Sequence, residues 1–110
     1  MSYQHKELAA GRWREFSFLE QMANIGSEVE RSLNWQGKNN ADYARQAFER
    51  ALELIDLTLD SITVPTHLKE VARVREALVD YFFGTNQFMS TEAWWKKYFF
   101  HFTYAARKDY

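Results

Sequence analysis

The stretch SFLEQMANIGSEVERSLNW, Ser17 to Trp35, sets the fold class. Its opening has capping-box form: the Ser17 hydroxyl can accept from the amide of Glu20 while the Glu20 carboxylate reaches back to the amide of Ser17. Beyond the cap, Phe18, Leu19, Met22, Ile25, Gly26, Val29 and Leu33 fall within an arc of about 120° at the helical period, the pattern of one buried face. Gly26 lies on that arc, where glycine costs about 1 kcal/mol relative to alanine. Its presence predicts a close helix crossing. A helix with one apolar face needs other elements to cover it, and the remainder of the chain supplies three more of the same kind.

Downstream, Gly37-Lys38-Asn39-Asn40 offers a terminating glycine followed by an asparagine N-cap, so a second helix is expected from about Ala41. Its apolar residues Ala44, Ala47, Phe48, Ala51, Leu52, Leu54, Ile55 and Leu59 cover about half the circumference, which marks a helix contacted on two sides. A loop from Ser61 leads to Pro65 or Thr66, where a third helix begins, and Gly84 ends it. Ser90, with Glu92 in the first turn, opens a fourth. The connecting loops are short, which favours antiparallel neighbours. The expected architecture is an all-α, antiparallel up-down four-helix bundle over residues 17–110, preceded by an N-terminal arm over residues 1–16. Trp13 and Phe16 make that arm apolar, and it is expected to pack either on its own core or on a neighbouring molecule.

Composition narrows the function classes. The chain of 110 residues is 46% hydrophobic and 17% aromatic, with one Pro and four Gly, which excludes disordered and linker-dominated classes and gives a short chain a real core. A formal charge of −1 supplies no global attraction to nucleic acid or an anionic membrane. The absence of cysteine removes thiol chemistry and Cys-ligated metals, and it suits a cytoplasmic location. No apolar stretch has the length of a membrane span or the form of a secretory signal. His5, His67 and His101 lie on separate segments without metal-ligand spacing. No phosphate-binding glycine loop or nucleophile elbow is present either, so no enzyme activity, cofactor or metal is expected.

Three features do not fit a plain bundle. Arg75 projects from the middle of the third helix's apparent apolar arc, formed by Leu68, Val71, Ala72, Leu78, Val79 and Phe82. A guanidinium cannot shed its charge there, so a buried pair with Glu28 is expected, set against a ligand-facing cation in a bundle cavity. On the fourth helix, Trp94, Trp95, Tyr98, Phe99, Phe102, Ala105 and Ala106 form the expected core face, while Phe100 and Tyr104 lie one turn apart on the other side among Lys96, Lys97, Arg107 and Lys108. That second face suits a protein contact, joined by Trp35, and it also suits stacking of nucleic-acid bases with phosphates on the cations. Finally, Glu49, Glu53, Asp56 and Asp60 form an acidic stripe on the second helix, either a solvated face or oxygen ligands for Mg²⁺.

The segments EQMANIGSEVER (Glu20 to Arg31), AFERALEL (Ala47 to Leu54) and VREALVDYFFG (Val74 to Gly84) resemble small uncharacterised prokaryotic helical-bundle proteins. The resemblance implies a helical bundle and no activity. More loosely, the architecture is similar to the higher-eukaryote-and-prokaryote nucleotide-binding (HEPN) bundles and to the four-helix accessory proteins of diversity-generating retroelements. HEPN ribonucleases carry an Arg closely followed by a His, and no Arg here is so followed. The retroelement bundles are strongly basic, unlike this chain. The all-α nucleotide pyrophosphohydrolases pair two acidic motifs on successive helices. Glu53 and Asp56 match one, but Arg31 follows Glu28 where the other needs a carboxylate. The leading expectation is therefore a non-enzymatic interaction protein, a homo-oligomer or small accessory subunit that uses Phe100, Tyr104, Lys97, Arg107 and Trp35. A nucleic-acid accessory bundle and a Mg²⁺-dependent nucleotide hydrolase are the alternatives.

Overall fold

A computed structural model describes residues 11–108, and the first ten residues of the arm lie outside the described residues. A 3-10 turn, Arg12–Glu15, leads into four helices: α1 Phe18–Gly37, α2 Ala41–Ser61, α3 Pro65–Phe83 and α4 Glu92–Lys108. No strand occurs among the described residues, and the fold is a four-helix bundle. No helix among them is long and apolar enough to cross a membrane.

The helix ends follow local chemistry. Ser17 and Glu20 form the reciprocal capping box, with the Glu20 amide donating to Ser17 Oγ at 3.1 Å and the Ser17 amide donating to Glu20 Oε1 at 3.0 Å. Asn40 caps α2 by accepting from the Tyr43 amide at 3.1 Å. The left-handed residue ending α1 is Asn39 (φ 59°) rather than the expected Gly37, which stays in the last turn. Asparagine tolerates that conformation because its short polar side chain can bond locally. Pro65 takes the first helical position of α3, where its missing N–H leaves nothing unpaired. At α4 the cap is Thr91 rather than Ser90: Thr91 Oγ1 accepts from the Trp94 amide at 3.1 Å, while the Ser90 backbone is held by Asn86.

α1 is the central helix, packed along α2 on one side and α4 on the other, while α3 rests on α2. The core joins Met22, Ile25, Val29 and Leu33 of α1 to Phe48 and Ile55 of α2, Val71 and Leu78 of α3, and Trp95 and Phe99 of α4. Gly26 permits the α1–α4 approach, because a Cβ there would lie 2.7 Å from Cβ of Phe99. Ser32 stitches α1 to α2 by donating to the Ala44 carbonyl at 2.7 Å. The end of the arm belongs to this core and not to a neighbour. Trp13 is 2% exposed. Its indole N–H donates to Thr58 Oγ1 at 2.9 Å, and Gln21 Nε2 donates to its carbonyl at 2.9 Å.

Two expectations are corrected here. α3 is rotated relative to the face read from its sequence: Val71, Val74 and Leu78 are buried, whereas Leu68 and Ala72 face solvent. Arg75 therefore stands at the flank beside α2, where its Nε donates to Asp56 Oδ1 at 2.9 Å. It does not pair with Glu28, which instead accepts from Arg31 at 3.4 Å and Arg50 at 3.3 Å. Likewise Trp94, expected in the core, is about half exposed.

Candidate functional site

Because α4 packs on α1 and α3 on α2, the bundle is open between α3 and α4. A groove of about 680 Å³ fills that seam. Val74, Ala77 and Trp95 contribute its apolar floor, Trp94, Tyr98 and Phe88 its aromatic wall, and Lys69, Glu70, Arg73 and Glu76 its charged side. The volume falls within the range of about 300–1,000 Å³ typical of binding pockets. Trp94 and Tyr98 stack nearly parallel, 5.4 Å between ring centroids, and Trp94 meets Trp95 edge-on at 4.8 Å.

One wall of the groove comes from a loop held in place by side chains. The Asp80 carboxylate accepts from the amides of Gln87 at 2.9 Å and Phe88 at 3.0 Å. Asn86 and Ser90 are locked reciprocally, Asn86 Nδ2 donating to the Ser90 carbonyl at 3.0 Å and the Ser90 amide to Asn86 Oδ1 at 2.9 Å. Asn86 and Met89 both adopt left-handed backbone, φ 57° and 56°. For methionine that conformation carries strain of roughly 1–2 kcal/mol, sustained only where surrounding bonds over-determine it. The loop uses those bonds to hold Met89 in solvent, 83% exposed, beside the exposed Phe88.

Two residues that line the groove carry buried polar atoms: the Trp95 indole N–H has no hydrogen-bond partner, and the Tyr98 hydroxyl lies beside the Glu70 carboxylate. Burial, reinforced by the adjacent Glu70 carboxylate, pushes the Tyr98 phenol well above the ordinary tyrosine range. Tyr81 is raised more modestly, first by burial and then by Glu92. The folded-state pKa of Tyr98 exceeds the unfolded value near 10, so its contribution is intact below about pH 10 and is lost as pH rises from there through the folded value. Tyr98→Phe is expected to flatten this alkaline loss in urea melts recorded between neutral pH and about pH 11. At neutral pH its effect is expected to stay within about 1 kcal/mol, because the buried hydroxyl it removes has only a poorly formed bond to the Glu70 carboxylate to lose. A large neutral-pH loss would mean that the hydroxyl is bonded in solution.

Phe100 and Tyr104 are both exposed, and their rings stack at 6.2 Å. Lys97 and Arg107 are exposed as well, and Phe100 and Arg107 line a smaller groove of about 290 Å³ between α1 and α4. Trp35 stands apart from that groove, edge-on to Tyr43 at 4.8 Å with Lys38 Nζ over its ring at 5.1 Å. In the acidic stripe, Glu49 accepts from Arg45 at 3.3 Å and Asp56 from Arg75. No cluster among the described residues could hold a metal ion. His67 stacks flat on Phe18 at 3.9 Å, and His5 lies outside the described residues. Reading the sequence missed the α3–α4 groove. Its one visible sign was Phe88-Met89, two large apolar residues within an otherwise polar interhelical loop.

Compared with protein-family models, curated proteins and solved structures, the chain matches none.

Proposed function

We propose that the protein works by protein–protein contact, without chemistry of its own, as a small accessory subunit or homo-oligomer that receives a segment of a partner in the α3–α4 groove. The observation carrying this reading is the loop of residues 84–90. Two side chains, Asp80 and Asn86, are committed to holding Phe88 and Met89 out in water at the mouth of an aromatic groove. Exposed apolar residues fixed in this way suit the centre of an interface, where aromatics and methionine are enriched. An amphipathic helix or extended segment would bring apolar anchors to the Val74, Ala77 and Trp94 surfaces and polar residues to the rim.

The test is a tagged pull-down from the native host, with and without nuclease, using wild type and a Phe88→Ser/Met89→Ser variant. These side chains are exposed, so the variant is expected to keep its melting behaviour. The reading predicts a stoichiometric protein partner that survives nuclease and is lost from the variant. Asp80→Ala, which frees the loop without touching the apolar residues, should weaken capture about tenfold or more, as interface positioning groups do. Recovery of nucleic acid, or of proteins that vanish with nuclease, would transfer the function to the stacked Phe100 and Tyr104 beside Arg107. Binding there would fall steeply between about 50 and 200 mM salt through counterion release.

A further inference from the structure

α3 carries an exposed face between its core face and the charged rim of the groove. Val64, immediately before the helix, and then Leu68, Ala72, Arg75, Val79 and Phe83 recur at spacings of four, four, three, four and four residues, a slanting stripe on one side of the helix whose order of spacings reads the same from either end. Val64 is 43%, Leu68 45% and Phe83 52% exposed. Ala72 is exposed and Val79 half-buried, while the core side of the same helix is formed by Val71, Val74 and Leu78.

We propose that this seam pairs with the same seam of a second copy, antiparallel about a two-fold axis. One register satisfies every position. It sets Val64 against Phe83 of the second copy, Leu68 against Val79, and Ala72 against Arg75, and the two-fold axis repeats each pair in reverse. Three layers become apolar on apolar or long on small. The aliphatic stem of Arg75 crosses the second copy's Ala72, and its guanidinium stays at the flank on Asp56, where the pair is now partly exposed at 2.9 Å.

The flanking charges choose the same arrangement. Lys69 and Glu76 follow the seam on one side, two turns apart, and neither forms an ion pair among the described residues. In the antiparallel register each Lys69 faces Glu76 of the other copy. A parallel, in-register pair would instead bring Arg75 onto Arg75 within the seam, a like-charge contact that opposes it. Lys69 and Glu76 also stand on the charged rim of the groove, so the dimer would share that rim. Self-association and the Leu68–Val79 cross-link are read without any partner, so their failure is distinguishable from failure of partner capture.

A single helix-on-helix contact of this length belongs with the small interfaces, below about 1,200 Å² in total, so the expected dissociation constant is on the order of tens of micromolar. Sedimentation equilibrium of the full chain, from about 1 to 500 μM to bracket that value, should show a monomer–dimer equilibrium. Lys69→Glu, an exposed change, should raise the dissociation constant about tenfold by creating two like-charge contacts per dimer. Lys69→Glu/Glu76→Lys should restore it. The chain has no cysteine, so single thiols report the register. Mixed Leu68→Cys and Val79→Cys proteins should join through a thiol cross-linker of about 8 Å, close to the spacing of packed helices. Neither protein alone should, because like positions would lie about 16 Å apart along the axis. A monomer at every concentration, failure of the double variant to restore association, or cross-linking of either single variant with itself would each overturn the proposal.

Discussion

Gly26→Ala is expected to destabilise the protein by about 1–2 kcal/mol, against the direction of helix propensity. In a plain helix the change would gain about 1 kcal/mol. Here the new Cβ would lie 2.7 Å from Cβ of Phe99 and 2.9 Å from its Cγ and Cδ1. Carbon atoms sit comfortably at about 3.5–4.0 Å, so the overlap is severe. The identity of the struck atom decides the sign. The Phe99 Cβ is fixed by the backbone of α4, so no rotation of the phenyl ring relieves the clash, and the two helices must separate. Separation loosens Val29, Leu33 and Trp95, which lie beside Gly26 and Phe99. Overpacking of this kind costs about 1–3 kcal/mol, more than propensity returns. Gly26→Val, with two further methyl groups, should cost more. Urea melts give the number, and hydrogen exchange should show protection lost first in α4, which packs chiefly on α1. A gain of about 1 kcal/mol for Gly26→Ala would mean that propensity is the only effect and that the helices are not in close contact.

That contact was legible in the sequence because a glycine on an otherwise apolar helical face has no good local reason to be there. The same holds for the Ser17–Glu20 capping box, the Asn40 cap and Pro65, whose structural consequences are settled within a few residues. Arg75 was read onto the wrong partner for a physical reason. Leu68 and Ala72 are as apolar as Val71, Val74 and Leu78, so periodicity alone shows one broad arc where the structure has a buried face, a half-buried Val79 at its edge and exposed residues beyond. Rotating the helix by part of a turn moves Arg75 from the core to the flank and exchanges Glu28 for Asp56. The groove was hidden for a different reason. It exists because α3 and α4 choose different neighbours, and its rigid wall depends on Asp80 reaching amides seven and eight residues further along the chain. Neither relation leaves a period in the sequence.

Trp13→Ala is expected to cost about 3–5 kcal/mol, the range for removing a large buried ring. Against a typical total of about 5–15 kcal/mol, that is enough to leave the variant marginal. Trp13 lies four residues ahead of the first α-helix cap, yet its side chain is buried and touches the far end of α2. It closes the base of the bundle in three ways. The ring fills core volume, the indole N–H reaches Thr58, and the carbonyl accepts from the buried Gln21. Trp13→Phe separates these contributions. It keeps most of the apolar volume and the backbone bond, and gives up the indole donor. Thr58 Oγ1 still donates to the Leu54 carbonyl at 2.8 Å, so the hydroxyl is not orphaned and the loss should be about 1–2 kcal/mol beyond the change in ring size. A double-mutant cycle with Thr58→Val isolates the bond: a coupling near 1 kcal/mol is expected, since the pair is fully buried. If Trp13→Ala melted within about 0.5 kcal/mol of wild type, as a surface substitution would, the ring would not be part of this core in solution. The bundle would then have to be closed at that end by something else.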